Sequence, residues 1–151
     1  MKRIFLAATS LFCSLIVLAE EPVNEKVMQA FAQSFKNVKD VVWHEYATYY
    51  EVNFKQQDIS ARISYDTDGN IVKSLRYYTE DQLPFFVRAK LQKQYAGKKV
   101  YGVTELTEWD QINYHVVLED EKSWTHVKCD PYGSMETVKK YRKAGAISGI
   151  K

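Results

Sequence analysis

A chain of 151 residues with 21 Lys and Arg against 19 Asp and Glu is close to neutral. It carries no overall attraction for nucleic acid or anionic membrane. With only Cys13 and Cys129 it is no disulfide-built scaffold, so packing must hold it together.

The amino terminus reads as a secretory signal peptide over residues 1–19. Lys2 and Arg3 give a positive start, Ile4 to Leu18 is apolar, and Val17 and Ala19 supply small residues before a cut at Glu20. The run is shorter than the ~20 apolar residues of a spanning helix. Cleavage removes Lys2 and Arg3, leaving 19 basic residues against 19 acidic ones. Cys13 leaves too, so Cys129 stands alone and no internal disulfide can form. The remaining chain, residues 20–151, is long enough for one core of ordinary size.

Asn24 is a candidate N-cap for a first helix running to about Lys36. Val27, Phe31 and Phe35 recur every four residues, with the polar Lys26, Gln29 and Gln33 on the other side. Strands follow at Val41 to Tyr46, Tyr49 to Phe54, Ile59 to Asp66 and Ile71 to Tyr78. The evidence for them is β-branched and aromatic enrichment and alternation, with the turn Asp66-Thr67-Asp68-Gly69-Asn70 between the last two. A second helix carries Leu83, Val87, Leu91 and Tyr95. It is capped by Thr79 and Gln82 or else starts at Pro84. Strands then recur at Val103 to Thr107, Ile112 to Leu118, Ser123 to Cys129 and Ser134 to Tyr141. The basic run Lys139, Lys140, Arg142 and Lys143 reads as a solvated strand end with a frayed terminus.

The chain is therefore written twice. Val27, Phe31 and Phe35 recur as Val87, Leu91 and Tyr95, shifted by 60; Tyr50, Val52, Asp66 and Gly69 recur as Tyr114, Val116, Asp130 and Gly133, shifted by 64. A four-residue insertion around Glu108 to Gln111 accounts for the change. The pattern predicts an α+β fold of two tandem helix-plus-antiparallel-sheet pseudo-repeats, about 22–78 and 79–143, each helix on one sheet face.

Alternation also predicts hairpin partners. Phe54 opposite Ile59, Val52 opposite Ala61 and Tyr50 opposite Ile63 would place all six under the helix, with Glu51 against Arg62 outside. In the second half Leu118 would face Ser123, Val116 would face Thr125 and Tyr114 would face Val127. Val117 and Trp124, and His115 and His126, would then pair on the free face. Cys129, equivalent to Tyr65, would point inward as an inert thiol.

Little here suggests catalysis. There is no serine elbow, zinc-protease helix or glycine-rich phosphate loop. Counted as a calcium loop from Asp66, the sixth and twelfth positions are Ile71 and Tyr77 where Gly and Glu are required. His115 and His126 lack a third ligand, since His44 lies in the other half and Cys129 points away. No metal, cofactor or catalytic residue is assigned. Trp43, Tyr49, Tyr78, Trp109 and Trp124 are not placed in the core by periodicity, and exposed aromatics make anchors for protein partners.

The segments VKDVVWHEYATYYEVNF (38–54), ISYDTDGNIV (63–72), Leu83-Pro84 and YHVVLEDEKSWTHVKCDPYGSM (114–135) resemble the exported PepSY-like, or beta-lactamase-inhibitor-like, proteins. The resemblance spans about residues 22–143. It implies helices packed across antiparallel strands and a concave sheet surface that, in the founding inhibitor, grips an enzyme. The resulting expectation is an exported, periplasmic or extracellular, non-catalytic binder of a protein or peptide. Trp124, Val117, His115, His126, Trp43 and Trp109 are the contact residues, with no nucleic acid and no stable membrane insertion after cleavage. The alternative is a small ligand or metal ion in the cleft between the halves.

Overall fold

The computed structural model describes residues 23–144, so the expected signal peptide lies outside the described residues. Helix α1 (Glu25–Ser34) starts where Asn24 Oδ1 accepts the Lys26 N–H at 2.9 Å. Strands β1 (Lys39–Glu45), β2 (Tyr49–Gln56), β3 (Ile59–Asp66) and β4 (Ile71–Tyr78) follow. A 3-10 turn (Glu80–Gln82) leads into α2 (Phe85–Gln94), then β5 (Lys99–Glu108), β6 (Gln111–Glu119), β7 (Ser123–Cys129) and β8 (Met135–Arg142). Thr79 makes no side-chain capping bond, and α2 begins directly after Pro84. Proline's preset φ and missing N–H suit a helix start, where the N–H would have no partner.

The eight strands form one antiparallel sheet in chain order. The two sets of four join through β4 and β5, from Lys73 opposite Glu108 to Tyr78 opposite Val103. Residues directly opposite one another share a face. That relation carries Val52 to Ile63 and Ser74 across the first half, and Tyr78 to Val103, Val116 and Val127 across the second. Both helices therefore cover the same side. Val27 and Phe31 of α1 pack on Val52, Phe54, Ala61, Ile63 and Tyr65. Val87 and Leu91 of α2 pack with Leu83 on Val103, Val116, Leu118 and Val127. Fully burying one such side chain stabilises by about 1.5–3 kcal/mol, so the hydrophobic stripes, more than intrinsic propensity, hold these two ten-residue helices.

A polar seam separates the two cores. Arg76 donates to Glu105 Oε1 at 3.0 Å, and the Tyr78 hydroxyl donates to Glu105 Oε2 at 2.6 Å. Burial, reinforced by the Glu105 carboxylate, pushes the Tyr78 hydroxyl well above the usual tyrosine range. Tyr78 is thus a core residue with a satisfied hydroxyl.

Both expected hairpin registers are corrected by two residues. In the first hairpin Phe54 faces Ala61, Val52 faces Ile63 and Tyr50 faces Tyr65. The strands close on a two-residue turn at Gln57-Asp58, with Gln57 at φ 54°. In the second, Leu118 faces Thr125, Val116 faces Val127 and Tyr114 faces Cys129. There Asp120 closes the turn by accepting the Lys122 and Ser123 N–H groups at 2.9 and 2.6 Å. Glu51 and Arg62 still meet, diagonally at 3.5 Å, while Arg62 bonds Asn53 at 3.0 Å.

The basic run is a solvated strand end as expected, with Lys139, Lys140 and Arg142 exposed on β8, and the terminus beyond residue 144 lies outside the described residues. The Lys143 N–H bonds the Lys122 carbonyl at 2.9 Å, and its ammonium reaches Glu119 at 2.9 Å. The extra residues of the second half lengthen the β5–β6 hairpin. β5 and β6 have 10 and 9 residues where β1 and β2 have 7 and 8.

Candidate functional site: the open face of the sheet

With both helices on one side, no helix among the described residues covers the opposite face of the sheet. Its outward positions run from Val42 and His44 on β1, through Glu51, Arg62, Lys73 and Leu75, to Leu106, His115, Val117, Trp124 and His126. Alternation builds this face: every second residue of each strand enters the core and its neighbours are turned out.

Two aromatic centres stand on it. The first lies over the middle strands. A groove of about 330 Å³ is lined by Tyr49, Glu51, Arg62, Leu75, Glu108 and Trp109, among others. Trp109 sits in the β5–β6 turn with φ 51° and is 83 % exposed. Asp110 beside it also has positive φ, 60°, so the turn has the I′ form that matches strand twist. The lengthened hairpin thereby carries a large ring out into solvent.

The second centre lies on β7 and β8. Trp124 is half-buried, its ring edge-on to Tyr101 at 4.9 Å, with the Lys143 ammonium 4.5 Å from the ring centroid. Tyr141 packs against His126 at 5.3 Å and lies under Lys139 at 4.7 Å. Each ammonium over a ring face is an attractive contact. Glu119 stands across the strand from Trp124 and pairs with Lys143, so this centre combines rings with charges.

The structure divides the six sequence-derived contact residues. Trp124, Val117, His115 and His126 share the open face, and Trp109 stands at its other centre. Trp43 does not join them. Its partner in register is Val52, and its ring packs on Phe31 at 5.3 Å and Tyr65 at 6.3 Å on the helix side. The two histidines are not opposite one another: His115 faces Lys128 and His126 faces Val117. Partial burial, then the charge of Lys128, lower the His115 pKa. Among the described residues no group of three His, Cys, Asp or Glu could hold a metal ion. Cys129 is fully buried, and desolvation pushes its thiol up to about 11.

Sequence reasoning did not assign Tyr101, Tyr141 and the Glu51–Arg62 wall to the site. Tyr49 was visible as an aromatic without a core role. Tyr101 was not, because a bulge between Val100 and Gly102 interrupts the alternation there.

Solved structures share this arrangement. A BLIP-like (beta-lactamase-inhibitor-like) protein from Bacteroides fragilis superimposes with a TM-score of 0.60 at 14% identity, covering 88% of this chain and 94% of that one. A DUF2874 family protein from Bacteroides ovatus gives 0.59 at 18% identity, covering 82% and 89%. A Bacteroides eggerthii protein, provisionally named as periplasmic, gives 0.57 at 16% identity, covering 78% and 87%. The fold is the BLIP-like one: two helices on one side of an open eight-stranded antiparallel sheet. No family model matches the sequence, and no curated protein matches it. No helix among the described residues is long and apolar enough to cross a membrane.

Proposed function

We propose that this chain is an exported, non-catalytic binding module whose open sheet face captures a protein or peptide partner. One observation carries the reading: both helices cover one side, leaving exposed rings on the other. Tyr77, Tyr101, Trp109 and Tyr141 are all more than a third exposed. Aromatic anchors of this kind dominate the energetics of protein interfaces. The name of the Bacteroides eggerthii neighbour supports a periplasmic home, as does the signal-like amino terminus. The BLIP-like neighbour's name supports an inhibitor-like, non-catalytic role.

We read the two halves as pseudo-repeats. Matching turns at Asp66 and Asp130, and matching pairs Tyr50–Tyr65 and Tyr114–Cys129, support that reading.

The test is capture from a native envelope fraction with wild-type protein and with Trp109→Ala and Trp124→Ala. A specific partner should be retained by the wild type and by Phe85→Ala, an exposed residue at the start of α2. It should be lost from the tryptophan variants. Retention by all four proteins would refute the open face as the contact surface.

A further inference from the structure

We infer that a second cleft, on the helix side at the β8 edge, binds a small multivalent oxyanion, a di- or triphosphate-like or polycarboxylate group. The cleft measures about 670 Å³ and is walled by Lys122, Lys140, Arg142, Ser123 and the acidic pair Asp120 and Glu121. That volume suits a small ligand.

Its charge is unbalanced. Asp120 is already committed: it pairs with Lys98 and accepts the Lys122 N–H, the Ser123 N–H and the Ser123 hydroxyl. Glu119 is likewise taken by Lys143. Glu121 alone then faces Lys122, Lys140 and Arg142, and none of these three cations has an ion-pair partner among the described residues. The carboxyl end of α2 lies close by at Gly97, but the Tyr95 carbonyl there is covered by the Lys98 N–H.

Edge strands commonly carry lysines that deter pairing with other chains. That role does not explain where these two cations sit. Lys140 stands opposite Thr125 and Arg142 opposite Ser123, so both start from the helix-side face, beside buried hydroxyls. With Lys122 they make three cations around one cleft that have no ion-pair partner among the described residues, a donor set suited to an oxyanion.

The inference concerns the opposite side of the sheet from the proposed partner surface and stands independently of it. Inorganic pyrophosphate and citrate are the probes, titrated calorimetrically into the full exported chain near 150 mM salt, where diffuse attraction is screened. Saturable one-to-one binding of either is expected, and whichever binds identifies the anion's source. Lys140→Ala/Arg142→Ala should weaken it about a hundredfold, roughly tenfold per charge-assisted contact. Lys36→Ala/Lys39→Ala removes the same charge far from the cleft and should change affinity less than about twofold. All three proteins should melt alike, since these side chains are exposed. Absence of saturable binding to both probes, or equal weakening in the two double variants, would overturn the inference.

Discussion

Asp66 and Asp130, 64 positions apart, make the same four turn hydrogen bonds. Each Oδ1 accepts N–H groups two and four residues on: Asp68 and Asn70 at 3.0 and 2.9 Å, Tyr132 and Ser134 at 2.9 and 2.8 Å. Each carbonyl accepts from the glycine three residues on, and each N–H bonds the carbonyl four residues on. The two carboxyls are held below the ordinary range, Asp66 chiefly by Asn70 and Asp130 chiefly by the Ser134 N–H. A depressed carboxylate contributes stability that is complete above the unfolded pKa, about 4, and lost as pH falls through the folded value. Asp66→Ala and Asp130→Ala should therefore lower the melting temperature at pH 7, with the gap to wild type closing as pH falls below about 4. Thermal melts across pH 2–7 check this.

The glycines of the same turns should not respond equally. A Cβ on Gly133 would come within 2.5 Å of Lys90 Cδ, while one on Gly69 would lie 3.0 Å from the Lys26 carbonyl oxygen. The first contact is shorter, but a lysine side chain can swing away and a helix backbone cannot. Both have positive φ, 80° and 87°, which costs alanine about 1–2 kcal/mol. Gly69→Ala should destabilise more than Gly133→Ala, by urea denaturation. The reverse order would show α1 yielding more readily than Lys90.

Two buried tyrosines should answer oppositely to the loss of their hydroxyls. Tyr65 is fully buried, its hydroxyl has no hydrogen-bond partner among the described residues, and burial pushes its pKa up to about 12. Tyr65→Phe should stabilise by about 1 kcal/mol, because an unsatisfied buried hydroxyl is removed. Tyr78→Phe should destabilise by about 1–2 kcal/mol, because Glu105 loses a donor. Chemical denaturation of both variants measures the contrast.

The three tryptophans should separate by stability. Trp43 packs on Phe31 and Tyr65, so Trp43→Ala should cost about 3 kcal/mol. Trp109→Ala should stay within about 0.5 kcal/mol of wild type, its ring being almost fully exposed. Trp124→Ala should fall between them, losing the Tyr101 contact and the Lys143 cation. A melt of Trp109→Ala as deep as that of Trp43→Ala would show that its ring is packed.

Cys129 should remain unreactive towards an aromatic disulfide reagent at pH 8 in the native protein, and react fully in denaturant. Its burial and raised pKa leave almost no thiolate. Rapid native reaction would place the thiol at the surface.

Hydrophobic spacing determined both helices, all eight strands and which residues of β2, β3, β6 and β7 face the core. It also assigned Trp124, Val117, His115 and His126 to one surface. Hairpin partners were decided elsewhere, because a slip of two residues leaves every side chain on its own face and alternation cannot detect it. The closing turns, Gln57-Asp58 and the Asp120 cap, set the register. The joining of β4 to β5 into one sheet and the inward turn of Trp43 beside Phe31 depend on contacts between residues distant in the chain. The same holds for the unpaired cations of the β8 cleft, since whether a charge is free depends on which neighbours folding brings within reach.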